Sequence, residues 1–586
     1  MNIENIRHSL SHILACAVQE LYPGTKFGIG PAIENGFYYD FELPTQIAPE
    51  DLSKIEKKMQ ELIRQNIVFN KNNITKNGAK ELFKDQLYKI ELINDLGENE
   101  ITTYESGKFI DLCSGPHIKS TKEIPIDSFK LIKIAGAYWK GSEKNAMLTR
   151  IYGIAFENKK VLEDYLKVQE EAEKRDHRIL GQKLELFLID ENIGAGLPIW
   201  LPKGAKVRKI IENYLYEELS KQGYLWLYTP HIGSRKLWET SGHWSFYNEN
   251  MYPPFEISQN LEDIQKGKKA ELKEEYLLKP MNCPFHLAVY NSKIRSYRDL
   301  PIKYAELGTV YRYERSGTLH GLTRVRGFTQ DDAHLICTPE QMEKEVEKLI
   351  KQAIVTLSDF GFKEFNIYLS TRPEKYTGSL ENWEKATSTL ENTLKKMKLE
   401  YKTDEGGGVF YGPKIDFKIK DSIGREWQCT TIQFDFNLPE KFHLFYIDET
   451  GTKKEPFMIH RALLGSLERF FGVLIEHYAG AFPFWLSPIQ MWIIPISSKH
   501  EKYAAKIGEE LKELGFRIEV KNENETVSKK IRNGEIQKIP YLLVVGDKEM
   551  KTKSVSVRER GKGDIGKMNL KKFISKLEKI YKKSII

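Results

Sequence analysis

Apolar and polar residues alternate strictly through the middle of the chain. In IQFDFNL (432–438), Ile432, Phe434, Phe436 and Leu438 fall on one face, and Gln433 and Asp435 on the other. That is the period of a half-buried strand, and KIDFKIKD (414–421) repeats it. In residues 303–334, a strand pattern holding Arg312 and Glu314 leads through a polar, Gly-containing turn into a second strand. At period 2 this second strand places Arg324, Arg326, Phe328, Gln330 and Asp332 on one face. Alternation of this kind predicts an antiparallel sheet over residues 183–484, with one buried and one polar face. Apolar positions in HRALLGSLERFFGVLIE (460–476) predict a buried helix with a strand leading in.

The flanks have other rhythms. Residues 1–156 mix short helical and strand patterns and end in the strand-like MLTRIYGIAF (147–156). Residues 157–182 are charge-laced and nearly free of breakers, with Val161, Leu162, Tyr165, Leu166 and Val168 as a narrow stripe. They predict a solvated connecting helix. Residues 252–275 are charged and irregular, as in a surface insertion. Residues 485–586 alternate apolar runs (MWIIPI, YLLVVG) with helical stretches, which predicts a small α/β domain with a mostly parallel sheet. The fold class expected is multidomain α+β, with a central antiparallel-sheet domain and a C-terminal α/β domain.

A length of 586 residues fits several such domains. Net charge is +7, but residues 488–586 carry 23 basic and 13 acidic side chains, so +10, leaving −3 for the rest. A basic domain on a near-neutral body points to a polyanion at one end, in competition with a Lys-rich solubilising tail. Five cysteines without paired spacings fit a reducing cytosol rather than a disulfide framework. The opening MNIENIRHSL lacks the pattern of a signal peptide. With no apolar run of membrane-spanning length, a cytoplasmic protein is expected.

A sheet face reading cation, aromatic, amide, carboxylate makes a poor core and a good nucleotide floor. Arg grips phosphate in a planar fork and Phe stacks a base. The competing reading is a salt-bridged, solvated face. Arg469 resists a bland account, being one charge amid Leu463, Leu464, Leu467, Phe470 and Phe471. Cys283, His334 and His460 lie in KPMNCPFH (279–286), RGFTQDDAHLIC (326–337) and MIHRALLGSLERF (458–470). Each alone is more ordinary as a buried residue than as a ligand.

Together these blocks resemble signatures of class II aminoacyl-tRNA synthetases, and with their soft ligands and flanks the chain resembles the threonyl-tRNA synthetase family throughout. The resemblance implies ATP with Mg²⁺ as substrate. It makes Arg312 the α-phosphate ligand, with Glu314 beside it, Arg324 and Arg469 γ-phosphate contacts, and Phe328 the adenine platform. Tyr313, between Arg312 and Glu314, departs from the commonest family wording. Zn²⁺ is implied at Cys283, His334 and His460, a three-ligand set with an open position. Gln330, Asp332, Tyr411, Lys414, Gln428, Gln433 and Ser466 match positions around substrate or adenylate, and His243 matches a histidine assisting transfer to tRNA.

Serine differs from threonine by one methyl, worth only ~1–3 kcal/mol of discrimination, so hydrolytic editing is expected. RHSLSHILA (7–15) puts His8 and His12 on one helix face, and DLCSGPH (111–117) adds Asp111, Cys113 and His117. Two His plus Cys-x₃-His also makes a full structural zinc set, and that alternative stands. By resemblance this is the family's editing domain (1–156), with Tyr39 and Asp111 lining its pocket and no required metal. The small ubiquitin-like domain that usually precedes it is expected to be missing. Asn524, Lys538, Glu549 and Arg558 match anticodon-contacting positions in the last domain, Lys538 where many relatives have Arg. Expected partners are tRNA(Thr), L-threonine, ATP and a second copy in a homodimer, with no membrane. Two rival functions remain: a non-catalytic synthetase-like tRNA-binding or regulatory protein, and a metal hydrolase with an RNA-binding tail. The first would be free to lose the arginines and soft ligands this chain keeps, and the second leaves the phosphate strand unexplained.

Overall fold

The computed structural model describes residues 2–97, 100–256, 262, 265–267 and 274–583. Most of the insertion expected at 252–275 therefore lies outside the described residues. The chain divides into two compact units, Met1–Glu171 and Ala172–Ile586.

In the first unit, helix Ile3–Leu21 starts where the Asn2 side chain accepts the Glu4 amide, an N-cap that satisfies an otherwise orphaned N–H. Its apolar face (Ile6, Leu10, Ile13, Leu14, Ala17) is buried against Phe37, Tyr39 and Phe41 of strand Gly36–Glu42. That strand sits in a five-stranded antiparallel sheet with Lys26–Phe27, Ala32–Ile33, Phe129–Tyr138 and Met147–Ala155. A second sheet pairs Phe69–Thr75, Glu100–Ser106 and Phe109–Leu112.

The expected single connecting helix is two. Lys159–Arg175 ends before Asp176, whose carboxylate accepts the Arg178 amide and caps a new helix, His177–Lys183.

An eight-stranded sheet organises the second unit. Its order is Leu225–Trp226, Ile302–Tyr311, Gly327–Cys337, Phe457–Ser466, Glu426–Asp435, Lys414–Lys420, Phe365–Ser370, Lys402–Asp404. The central pairings are antiparallel and the two outermost are parallel. Ile415, Phe417, Ile432, Phe434 and Leu463 are buried on one face against helices Met342–Asp359 and Leu380–Lys396, each such side chain stabilising by roughly 1.5–3 kcal/mol. The opposite face keeps the polar members of the alternation. Strand Phe457–Ser466 runs directly into helix Leu467–His477, with Gly465 at φ 81° in the bend and Ser466 Oγ accepting the Arg469 amide at 3.2 Å.

The last domain holds a five-stranded sheet, but it is evenly mixed rather than mostly parallel. Ile518–Val520, Met491–Pro495 and Tyr541–Val545 are parallel, and Ser554–Glu559 and Gly563–Asn569 add on antiparallel. The last two strands are joined by a short turn, and a hairpin cannot be parallel.

Candidate active site

The polar sheet face opens into a cavity of about 760 Å³. Phe328, Gln330, Asp332 and His334 line it from strand Gly327–Cys337; His460 and Ser466 do so from Phe457–Ser466, and Gln428 and Gln433 from Glu426–Asp435. Arg312 and Glu314, just past strand Ile302–Tyr311, together with Arg324, Tyr411 and Arg469, complete the wall. The alternation read from sequence holds from Phe328 onward and fails at Arg326. The strand begins at Gly327, and Arg326 is spent on the Glu314 carbonyl (2.9 Å) and Ser316 Oγ (3.2 Å) instead of lining the cavity.

The arginines differ in how they are held. Arg312 stands 5.1 Å from the Phe328 ring centroid. Arg324 pairs with Glu314 at 3.0 Å while its side chain remains 56% exposed. Arg469 has a buried Nε with no hydrogen-bond partner. A buried guanidinium N–H left without an acceptor is costly, and here it belongs to a residue that lines the cavity.

Cys283 opens helix Cys283–Asn291. Its sulfur and one ring nitrogen each from His334 and His460 lie within 4.8 Å of one another, all three residues buried. The remaining ring nitrogens are tied down. His460 Nε2–H donates to Asp435 at 2.8 Å. His286 donates Nε2–H to Glu306 (3.1 Å), which leaves its Nδ1 to accept from His334 Nδ1–H (2.8 Å). Both cluster histidines thus present a lone pair inward, with the supporting acceptors that orient metal-bound imidazoles. Glu306 in turn accepts from Thr229 (2.8 Å) and Lys279 (3.3 Å).

Two expected residues lie off the wall. Lys414 Nζ is paired with Asp416 at 2.6 Å. His243 is fully buried, with Ser241 Oγ 2.8 Å from Nδ1 and Nε2 unpartnered, and burial drives its pKa down to about 3. Sequence reasoning put Asp435 on the polar face but gave it no role, and it missed His286 and Glu306, whose part is visible only in their contacts. It also missed Asp331, buried with Arg461 and accepting the amides of Leu463, Leu464 and Gly465 at the strand end.

A second polar cluster occupies the first unit. The ligand-capable atoms of His8, His12, Cys113 and His117 fall within 4.8 Å. Cys113 Sγ is 3.3 Å from both His8 Nε2 and His117 Nε2. Burial raises the Cys113 pKa to about 11; burial, then His12 and His8, depress that of His117 to about 2. Below them Tyr39 OH donates to Asp111 at 2.7 Å, and His12 Nε2 lies 3.5 Å from the same carboxylate. Lys89, unsuspected from sequence, is 2% exposed and pairs with Asp111 while donating to Tyr39 OH at 3.1 Å.

In the last domain Asn524 is exposed after strand Ile518–Val520. Glu549 follows strand Tyr541–Val545 and accepts the Gly546 amide at 3.1 Å. Lys538 precedes that strand with φ 57°, and Arg558, opposite Leu542, leans toward Glu535 at 3.6 Å.

Comparison with known proteins agrees with this geometry. Residues 265–478 match the family described as tRNA synthetase class II core domain (G, H, P, S and T), residues 490–580 the anticodon binding domain, and residues 101–152 the threonyl and alanyl tRNA synthetase second additional domain. A threonine–tRNA ligase of a Sulfurihydrogenibium species is 53% identical over 99% of this chain and 89% of its own length. That of Aquifex aeolicus is 53% identical over 98% and 88%. A solved RNA binding domain of threonyl-tRNA synthetase from Cryptosporidium parvum superposes with a TM-score of 0.64 at 39% identity, covering 69% of this chain and 98% of that one. A cavity walled by arginines around a Cys/His/His cluster, joined to these three matched domains and to relatives more than half identical over nearly all of this chain, places the chain in the threonyl-tRNA synthetase family.

Proposed function

We propose that the cavity activates L-threonine with ATP and passes it to tRNA(Thr), and that the first unit clears the serine this step admits. The chain is a threonine–tRNA ligase of the class II type, with aminoacylation and editing. The proposal concerns which residues do the work and how the chain is parted: editing over 1–156, connection over 157–182, catalysis over 183–484 and anticodon reading over 485–586.

In activation, a threonine carboxylate oxygen bonds to the α-phosphorus of ATP as the bond to pyrophosphate breaks. In transfer, a ribose hydroxyl of the tRNA attacks the activated carbonyl, AMP leaves, and the hydroxyl proton is released. Arg312 holds the α-phosphate and Phe328 the adenine, while Arg324 and Arg469 bracket the γ-phosphate. Fixed cations aimed at charge that develops in the transition state catalyse without a protein nucleophile. Magnesium travels with ATP and is held chiefly by phosphate and water. His243, kept uncharged by burial, offers an unpartnered Nε2 for transfer.

The donor set fits zinc. One soft sulfur and two inward lone pairs, each imidazole braced by Asp435 or His286, are what such a site requires. A bound Zn²⁺ would supply a Lewis-acid centre for the amine and hydroxyl of threonine, rejecting valine, which lacks the hydroxyl, by about 10⁴ or more. The single observation carrying the proposal is this cluster inside an arginine-walled cavity. Threonine-dependent ATP–pyrophosphate exchange tests it. Cys283→Ser should abolish exchange and lower metal content by about one equivalent per chain, and full metal with normal activation would sink the assignment.

Editing is assigned to His8, His12, Cys113 and His117 with Tyr39, Asp111 and Lys89, by attack of water on the seryl ester. Tyr39 and Asp111, joined by a hydrogen bond of 2.7 Å, are assigned to the wall of that pocket, whose size would exclude the extra methyl of threonine. The four-ligand alternative of a structural metal makes the opposite forecast for metal content. Family resemblance extends the proposal to anticodon contacts at Asn524, Lys538, Glu549 and Arg558, and to a cytoplasmic homodimer, which sedimentation would test. No helix among the described residues is long and apolar enough to cross a membrane.

A further inference from the structure

His177 is fully buried and belongs to neither polar cluster. It opens the short helix His177–Lys183, directly after the break at Asp176. Its Nδ1 lies 2.6 Å from Glu476 Oε1, and its Nε2 is 2.9 Å from the backbone N–H of Leu322. A backbone N–H can only donate, so Nε2 carries the lone pair and Nδ1 the proton, donated to Glu476. Glu476 also accepts the His177 amide at 3.2 Å and pairs with Arg425. Asp176, His177 and Glu476 have the composition of a metal group, yet both ring nitrogens are already engaged within the protein. The ring is a bridge, not a ligand.

What it bridges to is the turn between the two strands of the ATP wall. His320 and Arg324 exchange backbone hydrogen bonds at 3.1 and 3.2 Å, and the Thr323 amide bonds the His320 carbonyl at 2.9 Å. The Leu322 amide points instead to the imidazole, while Thr323, Arg324 and Val325 line the cavity. Gly321 has φ 48°, and a Cβ there would stand 2.1 Å from His177 Nε2. The turn rests on the ring itself, an approach open only to glycine.

We infer that His177 is a positioning residue for activation: through the Leu322 amide it fixes the turn whose Arg324 grips ATP, and Glu476 locks the tautomer that makes this possible. The inference rests on the reading of Arg324 as an ATP contact. It assigns His177 no contact with substrate.

Two substitutions in the full-length protein divide the two hydrogen bonds. His177→Gln places an amide oxygen near the position of Nε2 and can still accept from Leu322. His177→Asn reaches only the position of Nδ1, serving Glu476 but leaving the Leu322 amide unpaired. In threonine-dependent pyrophosphate exchange, Asn should raise KM for ATP about tenfold, on the scale of one buried N–H without an acceptor. KM for threonine should stay within twofold, and Gln should restore most of the ATP effect. Arg324→Ala in the same assay keeps the two readings apart. If Arg324→Ala raises KM for ATP and His177→Asn does not, the inference is wrong and the ATP reading stands; if neither does, both fall. Equal losses for ATP and threonine with a lowered Tm in both His177 variants would reduce the residue to a structural role. Should the variants not fold, hydrogen exchange on the unaltered protein decides: the Leu322 amide should be protected although it lies in a turn, and fast exchange there overturns the proposal.

Discussion

Arg469→Ala should make the enzyme nearly inactive and no less stable, an unusual pairing that follows from how this side chain is held. Its backbone N–H caps onto Ser466 Oγ at 3.2 Å, and the substitution leaves that bond intact. Its buried Nε has no partner. A buried donor left unsatisfied costs about 1–3 kcal/mol, so deleting it relieves a penalty that offsets the packing lost with the aliphatic stem. We expect a net stability change within about 1 kcal/mol, or a few degrees in Tm at most for a chain of this size. Activity is a different matter. If the guanidinium receives charge on the γ-phosphate, its loss removes a preorganised contact worth about 10²–10³ in rate, or about 2.7–4 kcal/mol of barrier. Stopped pyrophosphate exchange with saturating threonine, paired with thermal unfolding of the apo protein, measures both. A Tm loss above ten degrees, or exchange within threefold of the unaltered enzyme, would refute the reasoning and leave Arg469 a structural cation of its helix.

Further expectations concern the first unit and the last domain. His8→Ala with His12→Ala should leave threonylation intact and let Ser-tRNA accumulate; collapse of residues 1–156 with loss of a second metal would establish the structural-zinc alternative. The His117 pKa of about 2 lies below its unfolded value of ~6.5. Between these values the unfolded chain binds more protons, so the histidine's contribution is complete above pH ~6.5 and is lost progressively as pH falls toward 2. Protection factors along helix Ile3–Leu21 should therefore drop from pH 7 to 4, and a flat profile would count against it. Asn524→Ala should raise KM for tRNA several-fold with exchange unchanged; unaltered aminoacylation would remove Asn524 from the anticodon surface.

Much of this site was legible because its residues obey local periods. Phe328, Gln330 and Asp332 sit at alternate positions of one strand, and Gln433 opposite Ile432 and Phe434 on another, so alternation alone assigned them to the polar face. Where a segment leaves its period, that assignment failed: Arg326 lies one residue before its strand begins, and the helix after residue 157 breaks at Asp176. Burial without a period is the harder case. Asp435 reads as a polar strand residue and His286 as one more side chain of a short helix, yet together they fix which nitrogen His460 and His334 turn inward. Lys89 and His177 were equally silent, 22 residues from Asp111 and 145 from Leu322, and each acquires its meaning only from a partner that folding brings near. A sequence period reports which face a side chain takes relative to its own backbone. It carries no information on which remote group waits there, and the groups that orient ligands act through remote contacts of that kind. The polar face that lines the cavity could therefore be read from sequence periods, while the contacts that brace Cys283, His334 and His460 required the fold.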